Sequence, residues 1–177
     1  MWNKTTMKQR RKICFVITSF IHYARNFLIL KELKRRRDVD LHVIIAGTAL
    51  LPRYSAHHAH VRQMLERDGF ANLYEVYFNL EGDQPIVKAK SAGLGIVELS
   101  SLYHQIDPEL VVVRGDRFET LAAASAAVLM NITIAHVEGG DLSGTIDETI
   151  RHAVTKLSHF HFATSEASRA RLIQLGE

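Results

Sequence analysis

The sequence predicts an α/β domain in which a doubly wound, Rossmann-like parallel sheet is covered by helices. Short apolar runs alternate with longer amphipathic segments from end to end, which is the pattern of repeated strand-helix units. The 177 residues contain no Pro/Gly-rich linker and no internal repeat. They therefore fit one domain with a single sheet.

This alternation predicts six strands and six helices. The predicted strands are residues 13–18, 41–46, 73–78, 110–114, 133–137 and 161–163. The predicted helices are residues 24–36, 57–67, 85–105, 120–130, 147–157 and 165–174. Ligands of such sheets bind beyond the carboxyl ends of the strands, so the residues that follow each strand carry the functional information.

Composition argues against several classes of protein. The chain is 47% hydrophobic and 23% charged, as in ordinary globular proteins. Its single cysteine, Cys14, excludes a disulfide framework within the chain, and no run reaches the ~20 apolar residues of a membrane-spanning helix. The net charge of +3 comes largely from basic runs at 8–12 and 34–37, which lack interleaved aromatic residues. We expect a cytoplasmic protein with no nucleic-acid and no membrane partner.

The domain is expected to occupy residues 12–177, after a flexible basic tail at residues 1–11. The last predicted helix is followed by Gly176, a favourable helix stop, and then by Glu177.

The first candidate site residue is Asp116, in the segment VVVRGDRFET at residues 111–120. It follows a predicted buried strand and a turn at Gly115, and it precedes an alanine-rich helix. An aspartate in this position suits a helix N-cap. It also suits a catalytic role, because it lies just beyond a strand. The local sequence leaves both interpretations open.

The next strand end, TIAHVEGG, carries His136 and Glu138 two positions apart. Both project to the same side if the strand continues that far. A glutamate on an apolar strand end is costly to bury without a partner, which favours a functional role. Gly139 and Gly140 then remove side chains and are expected to open the backbone to a ligand.

A third carboxylate follows in the segment DLSGTIDETIRH. The small residues Ser143, Gly144 and Thr145 suit close contact with a ligand, and Asp147 begins the next predicted helix. Arg151 lies one turn after Asp147 on that helix.

Two interpretations of this helix are open. The pairs Asp147–Arg151 and Glu148–His152 are one turn apart and fit surface pairs worth about 0.3–0.5 kcal/mol each. Alternatively, Asp147 faces the same crevice as the two preceding carboxylates. Three carboxylates in one crevice raise one another's pKa, which supplies an acid and a base at neutral pH.

Two other motifs are not predicted to bind a cofactor. The HHAH segment at 57–60 has no neighbouring cysteine or carboxylate ligands, which argues against metal. The GLG segment at 93–95 lies inside a predicted helix, without the strand-turn-helix context of a dinucleotide site. We expect neither a metal nor another cofactor.

The sequence resembles the hydrolysing UDP-N-acetylglucosamine 2-epimerases of sialic acid biosynthesis. The motifs GDR, H-x-E-G-G, SGTIDE and IRH-x-x-TKLSH occur in the order and at the spacing typical of that family. The segments LEGDQPIVKAKSAGLG and GTALLPRYSAHHAHVRQMLERDGF extend the match, so that it covers most of the chain.

The resemblance implies one half of a glycosyltransferase-B-like architecture, in which two Rossmann-like domains bind a UDP-sugar between them. It also implies a reaction in which UDP leaves UDP-N-acetylglucosamine to give a 2-acetamidoglucal, which is hydrated to N-acetylmannosamine. A chain of this length is expected to be the N-terminal domain alone, without the second domain that supplies most nucleotide contacts. A homo-oligomer is expected as well.

The resemblance further assigns roles to residues. It implies that the catalytic carboxylates are Asp116, Glu138 and Asp147, and that the neighbouring motif residues Arg117, His136, Gly139, Gly140, Ser143, Gly144, Thr145 and Arg151 contact substrate. After the first strand the family has T-x-R-A-x-Y, with an arginine that helps hold the nucleotide. This chain reads TSFIHYARN, in which Phe20 replaces the arginine, Tyr23 matches and Arg25 lies nearby. Tyr23 and Arg25 are therefore also predicted to bind substrate.

Two alternatives stay open beside this function. One is a stand-alone binding or assembly module that keeps the fold and binds a sugar nucleotide without turnover. The other is a hydrolysing 2-epimerase of a different UDP-sugar, such as UDP-diacetylbacillosamine.

Overall fold

Six parallel strands, in the order β3-β2-β1-β4-β5-β6, form the sheet of this chain. The computed structural model describes residues 10–51 and 61–177. The strands are β1 (Arg11–Ile17), β2 (Val39–Ala46), β3 (Leu73–Val76), β4 (Leu110–Arg114), β5 (Thr133–Val137) and β6 (Phe160–Phe162). From β1 to β3 the strands are added towards one edge of the sheet, and from β4 to β6 they are added towards the other edge. This change of order confirms the predicted doubly wound, Rossmann-like fold.

Helices connect the strands and cover both faces of the sheet. They are α1 (Phe20–Arg35), α2 (Val61–Arg67), α3 (Pro85–Ile106), α4 (Phe118–Leu129), α5 (Ile146–Leu157) and α6 (Glu166–Gln174), with a short 3-10 turn at Gly47–Leu50. One buried cluster joins the sheet to α3, α4 and α5, and a second joins the opposite face to α1 and α2. Within the described residues, no helix is long and apolar enough to cross a membrane.

Hydroxyl side chains set the start of three helices. Ser19, Thr145 and Ser165 are the N-caps of α1, α5 and α6, and each accepts a hydrogen bond from a backbone N–H of the first turn. Pro85 begins α3, where its missing N–H costs nothing. These caps fix where each helix leaves the carboxyl edge of the sheet.

Several predicted boundaries were wrong, for local physical reasons. Helix α1 begins at Phe20, four residues before its predicted start, because Ser19 caps it there. Strand β3 ends at Val76, which pairs with Ala46, the last residue of the neighbouring strand β2. The predicted tail also extends too far, since Arg11 begins β1 and the Arg10 guanidinium donates to the Val39 carbonyl oxygen. Residues 1–9 and the histidines at 57–60 lie outside the described residues.

Close contact between α3 and α4 depends on Gly95. A Cβ atom at Gly95 would lie 3.0 Å from Ala122 Cβ and 3.1 Å from the ring of Phe78, whereas a Cβ at Gly93 would meet no atom within 4 Å. The GLG motif lies inside α3, as predicted, and one of its two glycines serves helix packing.

We predict opposite stability effects for alanine at these two glycines. Gly95→Ala overpacks the helix contact and should lower the free energy of unfolding by about 1–3 kcal/mol. Gly93→Ala, two residues away on the exposed side, should raise it by about 0.5–1 kcal/mol through helix propensity. Urea unfolding of both variants measures this, and a stabilised Gly95→Ala variant would contradict the packing argument.

Candidate active site

The carboxyl ends of β4 and β5 lie side by side and bring two of the predicted carboxylates together. Arg114 stands opposite Val137 in the strand register, and the Gly115 N–H donates to the Val137 carbonyl oxygen at 3.1 Å. Asp116 and Glu138 follow these strand ends, and the charge of Glu138 raises the pKa of Asp116. Asp147, at the start of α5, raises it further. The three carboxylates therefore share one electrostatic environment.

Asp116 forms an ion pair with Arg151 of α5. One guanidinium nitrogen, Nη2, donates to Asp116 Oδ2, while Nη1 donates to the Asp141 carbonyl oxygen at 2.7 Å. Burial raises the pKa of Asp116; Arg151 opposes this effect, and the two other carboxylates add to it. The N-cap of α4 is Arg117, so the interpretation of Asp116 as that helix's cap was wrong.

Glu138 lies in a left-handed backbone conformation, with φ of 72°, one residue beyond β5. This conformation is uncommon for a residue with a side chain, and it turns Glu138 towards α1. His136 packs on the other face, against Thr155 of α5. The expectation that His136 and Glu138 project to the same side required the strand to continue as far as Glu138, and β5 ends at Val137 between them.

Two arginines hold the Glu138 carboxylate. Arg114 binds it with both arms of its guanidinium, Nε to Oε2 at 2.8 Å and Nη2 to Oε1 at 2.5 Å. Arg25 of α1 donates to the same Oε1 at 3.1 Å, and its side chain is 61% exposed. Such bidentate pairing fixes the orientation of the carboxylate as well as its charge.

The pKa of Glu138 lies below its ordinary value of 4.5. Burial is the largest single influence and acts upward, but the hydrogen bonds and charge of Arg114, with the charge of Arg25, together outweigh it. Because the folded state has the lower pKa, this pairing stabilises the fold above pH ~4.5. That contribution is lost as the pH falls through the folded-state pKa.

The sequence analysis missed Arg114 and its partner Asn26. Arg114 is only 8% exposed, and its third arm donates to Asn26 Oδ1 at 2.8 Å. Asn26 is fully buried in α1 and donates to the His22 carbonyl oxygen at 2.7 Å. An arginine that ends an apolar strand was the available signal, because a buried guanidinium requires an anionic or polar partner.

His136 has a structural role in this geometry. Its ring is completely buried, with Nε2 2.9 Å from the Gly115 carbonyl oxygen and Nδ1 3.2 Å from Thr155 Oγ1. Burial lowers its pKa to about 4, so the ring is neutral near pH 7 and Nε2 carries the proton donated to the carbonyl. His136 thereby fixes the turn that presents Asp116, and its predicted contact with substrate stays a prediction.

The two glycines after Glu138 are buried beneath α6, whereas the sequence predicted an open backbone. A Cβ at Gly139 would crowd Thr155 and Leu172, and one at Gly140 would overlap the Ser168 carbonyl group. Packing against α6 therefore accounts for both glycines, and their contact with a ligand stays a prediction.

The segment 143–145 folds back onto the start of α5. Glu148 Oε2 accepts from the backbone N–H groups of Ser143 at 2.7 Å and Gly144 at 2.8 Å, and these bonds lower the pKa of Glu148. Thr145 caps the helix by accepting from the Asp147 N–H. Glu148 thus binds the loop at 143–145, and Arg151 binds Asp116. The predicted surface pairs Asp147–Arg151 and Glu148–His152 are therefore not the principal contacts of this helix.

Arg117 and Asp147 line a cleft of about 640 Å³ between the first turns of α3, α4 and α5. Lys88 adds a second cation, and Phe118 and Ile146 contribute to the mainly apolar wall. Tyr23, by contrast, is buried in the core, where its hydroxyl donates to Asp68. Its predicted substrate contact stays a prediction.

A metal centre finds no support within residues 10–51 and 61–177. No group of three or more histidine, cysteine or carboxylate side chains is arranged there to hold a metal ion.

The fold defines a class, namely the Rossmann-like half of a glycosyltransferase-B-like protein, in which Asp116 and Glu138 follow adjoining strand ends. A crystal structure of UDP-N-acetylglucosamine 2-epimerase from Neisseria meningitidis, bound to UDP-GlcNAc, superimposes with a TM-score of 0.77 at 22% identity. The match covers 94% of this chain and 43% of that one, and at this identity it shows the fold alone.

The sequence model of the UDP-N-acetylglucosamine 2-epimerase family matches residues 31–177, so this chain belongs to that family. A hydrolysing UDP-N,N'-diacetylbacillosamine 2-epimerase of Legionella pneumophila is 36% identical over 94% of this chain. A UDP-N-acetylglucosamine 2-epimerase of Neisseria meningitidis is 33% identical over 84% of it. The chain spans 43% and 38% of the length of these two relatives.

We predict that Arg114→Lys raises the pKa of Glu138 towards 4.5. Lysine keeps the charge but cannot make the bidentate contact. The carboxyl 13C resonance of Glu138, followed by NMR against pH, measures the change. Arg35→Lys, on the exposed face of α1 where Arg35 pairs with Glu32, is the matched control. An unchanged Glu138 titration in Arg114→Lys would show that the bidentate contact does not set its charge.

Proposed function

We propose that this chain supplies the catalytic carboxylates for hydrolysing 2-epimerisation of a UDP-2-acetamido sugar. In the first candidate reaction, UDP-N-acetylglucosamine and water give N-acetylmannosamine and UDP, a step that would place the chain in sialic acid biosynthesis. The observation that carries the proposal is the position of Asp116 and Glu138 at adjoining strand ends, where the charges of Asp147 and Glu138 both act on Asp116 and the pKa values of Asp116 and Glu138 shift in opposite directions.

The opposite pKa shifts suit the two halves of the reaction. Elimination takes the proton from C2 of the sugar as the bond between C1 and the diphosphate oxygen breaks. Hydration then adds hydroxide at C1 and a proton at C2 on the opposite face. The two proton transfers take place on opposite faces of the sugar ring and so need differently placed groups, and such acid/base groups contribute about 10²- to 10⁴-fold each. Asp116, whose pKa is raised by burial, is assigned removal of the C2 proton, and an acid on the other side of the sugar delivers the new proton.

Glu138 and Asp147 take supporting roles in the proposal. Glu138 is held ionised by Arg114 and Arg25, so it orients the water that adds to the glucal and favours positive charge developing at C1. Burial is the main cause of the raised pKa of Asp116, and the charge of Asp147 adds to it. Arg151 limits that rise and fixes the direction of the Asp116 carboxylate.

The proposal includes a second domain, which forms the other side of the substrate site. The chain spans less than half the length of the relatives described above, and the family resemblance assigns most nucleotide contacts to a second domain. Turnover is therefore proposed to require that domain, with the UDP-sugar bound between the two. The homo-oligomer expected from the sequence stays a prediction.

UDP-N,N'-diacetylbacillosamine is the second candidate substrate. The Legionella relative named for that sugar is 36% identical, against 33% for the Neisseria relative named for UDP-N-acetylglucosamine. Both sugars carry an acetamido group at C2 and UDP at C1, so the same three carboxylates serve either. The groups at C4 and C6 distinguish the two substrates.

A direct assay separates these proposals from the non-catalytic alternative. The chain is incubated with each UDP-sugar, alone and together with the second domain of the Legionella relative, and release of UDP and of the free sugar is followed. We expect release only with the second domain. Release by the chain alone would refute the requirement for that domain. Binding of substrate without release in the mixture would favour the binding module.

Asp116→Asn tests the central residue of the mechanism. We expect turnover in the complemented assay to fall by at least about 10²-fold, because the amide cannot remove the proton at C2. The midpoint of thermal unfolding should change by only a few degrees, since the amide still accepts from Arg151. Asp38→Asn, which alters an exposed pair with Arg36, is the control. Full activity in Asp116→Asn would reject the assignment.

A further inference from the structure

Glu119 is a buried carboxylate that the proposed mechanism does not use. It lies in the first turn of α4, and its side chain is completely inaccessible to solvent. Burying a carboxylate is costly without hydrogen-bond or ion-pair partners, so the neighbours of Glu119 should show which groups it binds.

Glu119 lies where the four segments that follow β1, β2, β3 and β4 meet. Its Oε1 accepts from Asn79 Nδ2, after β3, at 3.3 Å. Above it, a Cβ placed on Gly47, after β2, would lie 3.0 Å from Glu119 Cγ and 2.9 Å from the carbonyl oxygen of Thr18, after β1. Gly47 has φ of 62°, so glycine suits both its conformation and this contact.

Arg117 supplies the charge that balances Glu119. Its Nε lies 3.2 Å from Glu119 Oε2, and among the described residues this oxygen accepts no hydrogen bond of good geometry. Burial raises the pKa of Glu119, and the charge of Arg117 is the largest opposing influence. The ion pair is thus the principal contact of Oε2.

The two partners differ in their access to solvent. The Arg117 side chain is 39% exposed while that of Glu119 is inaccessible. Arg117 lines both the cleft beside Asp147 and a smaller cavity beside Asn79, and Lys88 lines both cavities with it. Glu119, the buried member of the pair, therefore holds the Arg117 guanidinium, which lines the cleft.

We propose that Glu119 is a positioning residue that acts through Arg117. It holds the Arg117 guanidinium at the mouth of the cleft, where that cation meets the anionic diphosphate of the nucleotide sugar. Through Asn79 it also fixes the segment after β3 beside the same crevice. This inference rests on the proposed function, because it takes the nucleotide sugar to be the ligand.

A double-mutant cycle separates positioning from packing. The Kd of UDP-N-acetylglucosamine is measured by calorimetry for the full chain mixed with the second domain, with Glu119→Gln in the wild-type and Arg117→Gln backgrounds. We expect Glu119→Gln to raise Kd about 10-fold alone and less than about 2-fold when Arg117 is already replaced. Equal effects in the two backgrounds would assign Glu119 to packing alone. Glu32→Gln, which breaks an exposed pair with Arg35, is the control.

A second measurement needs neither ligand nor turnover. Arg117→Gln alters a partly exposed side chain and should leave the fold intact, and it should raise the pKa of Glu119 because the opposing charge is gone. In the wild-type chain the Arg117 side chain should be ordered, and the mobility of its Nε should increase in Glu119→Gln. NMR of the chain measures both effects.

Failure of this inference can be told from failure of the proposed function. If the wild-type mixture binds no UDP-sugar, the function is rejected, while the NMR measurements still decide whether Glu119 orders Arg117. If the sugar binds but the Arg117 side chain is equally mobile with and without Glu119, the positioning role is overturned and the function stands.

Discussion

In this chain β4 and β5 pair in parallel with Arg114 opposite Val137, and the geometry of the site depends on this register. Strands that end level deliver the next residues of both segments to one place, so Asp116 and Glu138 become neighbours although 22 positions separate them in the sequence. A shift of one residue would exchange the faces of every β5 side chain and move His136 away from the turn it holds. The apolar residues of β5, which are buried on both faces, make such a shift costly.

The same edge of the sheet carries an unusual concentration of buried charge. Arg114 neutralises Glu138, Arg151 neutralises Asp116, and Arg117 balances the inaccessible Glu119. A buried ion pair rarely adds much stability, because removing two charges from water offsets most of their attraction. Losing one partner, however, leaves an uncompensated charge. These pairs are better understood as contacts that fix the direction of the carboxylates. At Glu138 the arginines outweigh burial and lower the pKa, whereas at Asp116 burial outweighs Arg151 and the pKa is raised.

Much of this arrangement could be predicted from local patterns. The alternation of apolar runs predicted the sheet, and the positions of Asp116, Glu138 and Asp147 just after strand ends or at a helix start predicted a shared crevice. What failed were inferences that needed a neighbour in space. Glu138 was assigned to the face of His136 because nothing in TIAHVEGG shows that the backbone turns to φ of 72° after Val137. Gly139 and Gly140 were assigned to a ligand because α6, which packs on them, lies more than twenty residues further along the chain.

The sequence by itself determined the strand-helix order and placed Asp116, Glu138 and Asp147 just after strand ends or at a helix start, because hydrophobic periodicity acts over a few residues. The family motifs added the chemistry that those carboxylates could perform. Only the tertiary structure decided the partners: Arg114 for Glu138, Arg151 for Asp116 and Arg117 for Glu119. Charge pairing in a buried site depends on which side chains the packed sheet and helices bring within about 3 Å of one another. The local sequence does not show these distances.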